Sequence, residues 1–249
     1  MAHEFALTGP IGSRAVLGLI VLQSDETIEP DMHRIFAALD IGLYVSRVPS
    51  GIEVTPDTLA AMEAELPRAA SLLPPSLAFS TIAYGCTSGA TVIGPDRVAA
   101  AVRGAANVAQ VTNPLSAVIA GLTALGTPRI GLLSPYIASV TTPMEAALAV
   151  RDITVAHAVT FDESEDAKVA RIDPESIYAA ALEAGRDDVQ AVFLSCTNLR
   201  TLDIIPRLEV ALGKPVISSN QALAWHMARL SGIDGALGPG RLWDLPMAG

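Results

Sequence analysis

The sequence predicts an α/β protein of two similar lobes, each built on a parallel sheet with helices on both faces. Short apolar runs alternate with helical patterns along all 249 residues. Continuous apolar strands of this kind are typical of parallel sheets that are buried on both faces. Three landmarks also recur in the same order in the two halves of the chain, and the two cysteines, Cys86 and Cys196, fall at matching places in that repeat.

Predicted strands and helices alternate from the first apolar run to the last. The strands are short apolar segments, and the helices place apolar residues at a period of about 3.6 residues. The predicted strands are 15–22, 42–48, 77–84, 108–111, 129–134, 153–160, 191–195 and 215–218. The predicted helices are 28–39, 58–71, 96–105, 114–125, 142–150, 174–183, 199–212 and 221–230. The acidic stretch 162–166 is predicted to be the most loop-like part of the chain.

The internal repeat predicts how the chain is divided. Gly18 is matched by Gly131 at an offset of 113 residues, Cys86 by Cys196 at an offset of 110, and Asn113 by Asn220 at an offset of 107. A duplicated unit explains such landmarks better than chance does. We expect a first lobe of residues 1–115 and 219–249 and a second lobe of residues 116–218. The carboxyl ends of both sets of strands would then surround one shared cleft.

Composition excludes several classes of function. The net charge of −10 and the absence of a Lys/Arg cluster argue against nucleic acids and anionic membranes as partners. No apolar stretch reaches the roughly 18 residues of a membrane helix, and no secretory signal is visible at the start. We therefore expect a cytoplasmic protein with reduced thiols, although two cysteines would also permit a disulfide.

Metal and nucleotide signatures are missing from the sequence. The four histidines and the two cysteines show no metal-ligand spacing. Neither a Gly-x-Gly-x-x-Gly nor a Walker sequence follows the first strand. The sequence therefore predicts chemistry without a metal or a nucleotide cofactor.

Each cysteine ends an apolar strand and precedes a predicted helix, which is where parallel α/β sheets place ligands. Free backbone N–H groups and the positive end of a helix dipole can lower the pKa of a thiol there. In one shared pocket, like-charge repulsion would leave Cys86 and Cys196 as one thiol and one thiolate. Such a pair can serve as an acid and a base. A lone buried cysteine that only fills space is the competing interpretation.

Small polar residues follow both cysteines. Thr87 and Ser88 come after the first, and Thr197 and Asn198 after the second. With the neighbouring N–H groups they could stabilise negative charge on a substrate oxygen. They could equally be caps of the following helices.

The segments Gly85-Cys86-Thr87-Ser88 and Ser195-Cys196-Thr197-Asn198 resemble the aspartate/glutamate racemase superfamily. The similarity extends from about Val16 to Leu230 and is greatest to the branch of maleate cis-trans isomerases and arylmalonate decarboxylases. Within that branch, the chain looks most like the racemase-like proteins encoded with ectoine-degradation genes. The resemblance implies an α/β fold of two pseudo-symmetric flavodoxin-like lobes, no cofactor, a small carboxylate substrate and a homo-oligomer.

The resemblance also implies roles for single residues. Cys86 and Cys196 match the catalytic cysteines, and Tyr136 matches a tyrosine that hydrogen-bonds the substrate. Asp25 and Asp166 stand where the family has carboxylate-binding asparagines. An ionised aspartate can only accept hydrogen bonds, so this change favours a substrate that carries a positive group, such as an amino acid or an amidinium compound. In the alternative interpretation, Asp25 is an exposed helix cap and Asp166 lies at the surface.

Three functions remain open from the sequence. The first is isomerisation or racemisation by the two thiols. The second is decarboxylation of an arylmalonate-type acid, against which the presence of Cys86 counts because that branch lacks the first cysteine. The third is a binding protein that retains the fold of a racemase without turnover.

Overall fold

Two four-stranded parallel sheets form the framework of the protein. The computed structural model describes residues 1–186 and 188–247. The first sheet has the strand order β2-β1-β3-β4 and the second the order β6-β5-β7-β8, so the two sheets share one topology. The strands are β1 Ala15–Leu22, β2 Ile41–Val48, β3 Phe79–Gly85, β4 Val108–Thr112, β5 Arg129–Tyr136, β6 Thr154–Glu163, β7 Ala191–Leu194 and β8 Val216–Ser218. The predicted α/β fold of two similar lobes is confirmed.

Helices cover both sheets. They are α1 Ile28–Phe36, α2 Pro56–Ala61, α3 Leu66–Ser71, α4 Thr87–Ile93, α5 Pro95–Arg103, α6 Pro114–Leu125, α7 Ala138–Ala149, α8 Asp166–Val169, α9 Pro174–Ala184, α10 Ile205–Leu212 and α11 Ser219–Leu230, with 3-10 turns at Met62–Glu65 and Arg241–Asp244. None of the helices in the described part of the chain is long and apolar enough to cross a membrane.

The core lies between each sheet and its helices. All eight residues of β1 and all four of β7 are buried, as expected for central parallel strands with a helix layer on each face. Helix α9 packs so closely on β5 that a Cβ atom at Gly131 would collide with the carbonyl oxygen of Ala184. The glycine at this landmark of the repeat therefore permits close packing between a helix and a strand.

Proline explains two differences from the predicted helices. The predicted helix 58–71 is divided into α2, a 3-10 turn and α3, which has Pro67 in its first turn. The predicted helix 199–212 begins only at Ile205, with Pro206 in the first turn. Proline lacks the N–H that an interior helical position needs, so it is accommodated at helix starts. As a result, Cys196 does not directly precede a helix, and that prediction was wrong.

The acidic stretch 162–166 is more ordered than predicted. Strand β6 continues to Glu163, and helix α8 begins at Asp166. The two residues between them, Ser164 and Glu165, pair with the segment that follows β2, as described below. Packing against the other lobe therefore orders a stretch whose composition alone is typical of a solvated turn.

Helix α11 joins the two halves. It follows β8 of the second sheet but packs against α6, α1 and β3, the last two of which belong to the first half. The predicted division into residues 1–115 with 219–249 and residues 116–218 stays a prediction, because α11 packs on elements from both parts.

Candidate active site

Both cysteines line one small cavity between the two sheets. Its volume is about 10 Å³, which is roughly the room needed by one water molecule. The lining residues come from the carboxyl ends of strands and the segments after them in both halves of the chain: Leu22, Asp25, Val54, Leu59, Cys86, Thr87, Ser88, Tyr136, Asp166, Cys196 and Thr197. Eight of the nine residues singled out from the sequence are in this set. The ninth, Asn198, is buried behind the wall.

Cys86 joins β3 to α4 and caps the helix with its sulfur. The residue is in an extended conformation, and its Sγ accepts a hydrogen bond from the N–H of Gly89 at 3.2 Å. Burial raises the pKa of the Cys86 thiol to about 12, because the thiolate loses its hydration; the Gly89 N–H acts in the opposite direction. The helix N-terminus is therefore present as predicted, but its effect is smaller than the cost of burial.

Cys196 follows β7 and has a different set of partners. Its Sγ accepts from the N–H of Asn198 at 3.3 Å and lies 3.2 Å from the hydroxyl of Tyr136. Burial raises the pKa of this thiol well above its ordinary value, and the nearby charge of Asp166 adds to the effect. Both cysteines are free, so they form no disulfide. At neutral pH both are protonated, and the predicted resting pair of one thiol and one thiolate was wrong.

Asp166 lies in the wall of the cavity. It is only 2% exposed, so the alternative that placed it at the surface was wrong. Its Oδ1 accepts from the hydroxyl of Tyr136 at 2.9 Å. Its Oδ2 accepts from the hydroxyl of Ser24 at 2.6 Å and from the amide nitrogen of Asn198 at 3.1 Å. Asp166 is therefore held by neutral donors from both halves of the chain.

Asp25 is both a helix cap and a cavity residue. Its Oδ1 accepts from the backbone N–H groups of Thr27 and Ile28, each at 2.8 Å, at the start of α1. The side chain is buried rather than exposed, and it lines the cavity. Burial raises its pKa to about 7, against the hydrogen bonds from the two N–H groups, which lower it. The two interpretations of Asp25 are therefore compatible.

The small polar residues after the cysteines are largely engaged by the protein. Thr87 donates through its hydroxyl to Ser219 at 2.8 Å, and Thr197 donates to the carbonyl of Gly85 at 3.3 Å. Asn198 accepts from the N–H of Glu26 at 2.8 Å in addition to holding Asp166. Ser88 differs from the others: its buried hydroxyl has no hydrogen-bond partner among the described residues.

Sequence reasoning missed the residues that connect the two cysteine loops. The hydroxyl of Ser219, at the start of α11, accepts from Thr87 and, at 3.1 Å, from the backbone N–H of Cys196. The amide nitrogen of Asn220 donates to the carbonyl of Thr197 at 2.8 Å and to Asp31 at 2.9 Å. Asn220 was one of the repeat landmarks, and that signal could have directed attention to this position.

Two loops close the cavity by pairing with each other. The segment after β2 meets the segment after β6 in an antiparallel bridge between Glu53 and Glu165. The N–H of Val54 donates to the carbonyl of Ser164 at 2.8 Å. The N–H of Asp166 donates to the carbonyl of Ile52 at 3.4 Å. Val54 and Asp166 both line the cavity, so the bridge forms part of its wall.

A comparison with known families agrees with this geometry. The family model described as arylmalonate decarboxylase matches residues 96–243, which is more than half of the chain. The chain belongs to this family. The predicted membership in the branch of maleate isomerases and arylmalonate decarboxylases is thereby confirmed.

Two enzymes with known activities are similar in sequence to this member of the arylmalonate decarboxylase family. It is 34% identical over 137 residues to the arylmalonate decarboxylase of Bordetella bronchiseptica, covering 53% of this chain and 57% of that enzyme. This match spans little more than half of the relative. The chain is also 26% identical over 238 residues to the maleate isomerase of Nocardia farcinica, covering 91% of this chain and 94% of that enzyme.

Solved structures of a maleate isomerase and of an arylmalonate decarboxylase share the fold. The Nocardia farcinica maleate cis-trans isomerase, as a cysteine-to-serine mutant with a covalently bound succinylcysteine intermediate, has a TM-score of 0.83 at 26% identity and covers 92% of this chain and 98% of its own. A double mutant of arylmalonate decarboxylase in the liganded form has a TM-score of 0.83 at 28% identity, covering 92% and 99%. The two-lobed architecture is therefore shared along nearly the whole chain.

Proposed function

We propose that this protein is a cofactor-independent isomerase or racemase of a small carboxylate and that Cys86 and Cys196 are its thiol pair. The observation that carries the proposal is the position of the sulfurs. The two cysteines of the chain come from different sheets and line one small cavity. Cytoplasmic location, a homo-oligomeric state and a place in ectoine-derivative metabolism remain predictions.

Cis-trans isomerisation can proceed by addition to a double bond. The thiolate of one cysteine forms a C–S bond with one alkene carbon, and the second thiol delivers its proton to the neighbouring carbon. The former double bond is then single and can rotate. When the second thiolate takes the proton back, the electron pair restores the alkene and the first thiolate leaves. The succinylcysteine in the maleate isomerase relative, a saturated acid bound to sulfur, supports this route.

Racemisation needs the same two groups. One thiolate removes the proton from the carbon next to the carboxylate, whose oxygens take up the charge, and the second thiol returns a proton to the opposite face. The hydroxyl of Ser88 is a suitable donor to the charged oxygen, because it has no partner among the described residues.

Either reaction requires that one thiol first lose its proton. The hydroxyl of Tyr136 lies between the sulfur of Cys196 and Oδ1 of Asp166. A proton can therefore pass from Cys196 to Tyr136 while Tyr136 passes its own to Asp166. Cys86 has no such connection to a carboxylate in the described part of the chain, so we assign the first thiolate to Cys196 and the proton-donating thiol to Cys86.

Exchange in deuterated water tests the two-thiol proposal. Maleate and a panel of small amino acids are incubated with the protein, and exchange or cis-trans conversion is followed by NMR. We expect activity that is lost in both Cys86→Ala and Cys196→Ala. Ser46→Ala, a buried serine on β2 that only donates to the carbonyl of Ala69, is the matched control. Full activity in either cysteine variant would rule out the pair.

Decarboxylation is a second candidate, supported by the family match and by the relative at 34% identity. It predicts release of carbon dioxide from an arylmalonate that survives Cys86→Ala and is lost in Cys196→Ala.

Binding without turnover is a third candidate function, supported by the raised pKa of both thiols. Alkylation by iodoacetamide that stays slow at neutral pH, and that is unchanged by every candidate acid, would favour it.

A further inference from the structure

The cavity carries negative charge without a matching positive group. Asp25 and Asp166 both line it, and among the described residues that form its wall none is Lys, Arg or His. The guanidinium of Arg47 lies behind the wall, where it donates to the backbone carbonyls of Leu22 and Asp25 at 3.0 and 3.1 Å, and it does not line the cavity. A dicarboxylate in the cavity would thus meet two carboxylates at short range and low dielectric constant, which is electrostatically unfavourable. The wall is therefore poorly suited to maleate, the substrate named for the relatives.

The hydrogen bonds do not compensate this charge. The backbone N–H groups that reach Asp25 both bind Oδ1, and the hydroxyl of Thr197 also lowers the pKa of this carboxyl, but all three donors are neutral. Within residues 1–186 and 188–247, the side chain of Asp166 accepts from a phenol, a hydroxyl and an amide, all of which are neutral. Buried carboxylates are usually paired with a cation or a metal, because an isolated buried charge is costly. The described residues contain no group of three or more His, Cys, Asp or Glu side chains suited to a metal ion.

Ser88 gives an independent indication of a ligand. Its side chain is 3% exposed and lines the same cavity, yet its hydroxyl has no partner among the described residues. A buried hydroxyl without a partner is destabilising because it has lost its hydrogen bonds to water, and a bound acceptor would restore one of them. The cavity thus offers acceptors at Asp25 and Asp166 and a free donor at Ser88.

We propose that the substrate is a small zwitterion whose cationic nitrogen group binds between Asp25 and Asp166 and whose carboxylate binds at Ser88. This inference rests on the proposed function and names the substrate class of the same site. An amino or amidino acid has the required chemistry, whereas a dicarboxylate does not. When Asp166 receives the proton of Cys196, Asp25 remains as the ionised partner of the cation.

The bound cation would also favour thiol ionisation. The charges of Asp166 and Asp25 contribute to the raised pKa of both thiols. A positive group between the two carboxylates offsets that contribution. Binding of the correct substrate would therefore lower the pKa of both thiols relative to the free protein.

Calorimetric titration with two matched acids tests the proposal. Succinate and 3-amidinopropanoate have a similar shape and share one carboxylate. The other end is a second carboxylate in succinate and a planar amidinium in 3-amidinopropanoate. At about pH 8, where Asp25 is mostly ionised, we expect 3-amidinopropanoate to bind at least about tenfold more tightly than succinate. Equal or tighter binding of succinate, or no binding of 3-amidinopropanoate at millimolar concentration, would overturn the proposal.

Variants locate the preference. Asp25→Asn keeps a good helix cap and removes the charge, so we expect the preference for the cation to fall at least about tenfold. Asp166→Asn is expected to act in the same direction, and it keeps the test open if one variant folds poorly. Asp31→Asn is the matched control, because Asp31 is a buried aspartate on α1 that does not line the cavity. A preference that persists in both Asp25→Asn and Asp166→Asn would contradict the assignment.

The result is separable from the test of the thiol mechanism. Thiol-dependent exchange without a preference for the amidinium acid would leave the two-thiol proposal intact and remove the zwitterionic substrate. A clear preference without any thiol-dependent chemistry would retain the binding site and indicate a binding protein.

Discussion

The two cysteine loops occupy equivalent positions in the two sheets but differ in what surrounds the sulfur. Cys86 caps α4, and its sulfur accepts from a backbone N–H within the same loop. Cys196 has no helix behind it, and its sulfur meets Tyr136, which in turn donates to Asp166. Duplication therefore supplies two thiols, and the side chains around them give each thiol a different route for its proton.

Replacement of either cysteine by serine should have the largest effect. We expect Cys196→Ser to reduce turnover by about 10³-fold or more, because a serine hydroxyl ionises far less readily than a thiol. If Cys86 is only the proton donor, Cys86→Ser should lose less, on the order of 10²-fold, because the serine hydroxyl can still donate a proton and the loss then lies at the lower end of what general acid catalysis contributes. Steady-state rates of both variants show which one loses more activity. Thermal unfolding checks that both variants are folded. Equal losses would contradict the division of roles.

Removal of the two tyrosine hydroxyls sharpens the comparison. Tyr136→Phe takes away a hydrogen bond that lowers the pKa of Cys196, so alkylation of Cys196 should slow by about tenfold while Cys86 is unchanged. Tyr84→Phe is the matched variant, because the Tyr84 hydroxyl lowers the pKa of Cys86. Site-resolved alkylation by mass spectrometry measures both. A slowing of both thiols in either variant would show that the loops are not independent.

The charge of Asp25 predicts a pH dependence of stability. Its pKa is raised from 3.8 to about 7 on folding, so its stabilising contribution is complete below about pH 4 and is lost as the pH rises through about 7. Asp25→Asn should therefore be more stable than the parent at pH 8, on the order of 2 kcal/mol, and similar to it at pH 4. Denaturant titrations at the two pH values test this.

Asp188 is the control for that measurement, because its pKa is shifted in the opposite direction. The pKa of Asp188 is lowered to about 2 by Arg129 and His157, so its contribution is present above about pH 4 and is lost as the pH falls towards 2. Asp188→Asn should lower stability at neutral pH and have little effect in acid. A pH profile of the same shape for both aspartate variants would contradict the assignment for Asp25.

The smallest effect is expected at the connection between the two loops. Ser219→Ala removes the acceptor shared by Thr87 and the N–H of Cys196, at a cost of about 1–2 kcal/mol in stability. Ser231→Ala, which loses one hydrogen bond to Thr81 near the other end of α11, is the matched control. Both should destabilise, but only Ser219→Ala should change the alkylation of both cysteines. If Ser231→Ala changes the alkylation rate of both cysteines to the same extent as Ser219→Ala, the hydrogen bonds of Ser219 do not specifically connect the two cysteine loops.

The fold and most of the cavity wall could be predicted because local patterns determine them. Apolar runs mark the strands, and the ends of parallel strands at one edge bring Asp25, Cys86 and Cys196 together from distant parts of the sequence. The start of α10 at Ile205 could also have been predicted from the sequence, since Pro206 fits a first turn better than the interior of a long helix.

The remaining features depend on contacts that the sequence pattern does not contain. Asp166 is held by Ser24, 142 residues away, so its burial could not be inferred from the acidic composition of its own segment. The thiol pKa values depend on how completely the two lobes exclude water, which is a property of the closed cleft. A helix N-terminus alone therefore suggested the wrong direction for Cys86.

The bridge between the segments at Glu53 and Glu165 has a consequence for the reaction cycle. Because a void of about 10 Å³ admits no four-carbon acid, we expect the two paired segments to separate when a substrate of the proposed class enters. While they are paired, both sulfurs are buried and shielded from solvent. If bond making and breaking are rapid, the pace of the enzyme is set by this mechanical step, in which neither cysteine takes part.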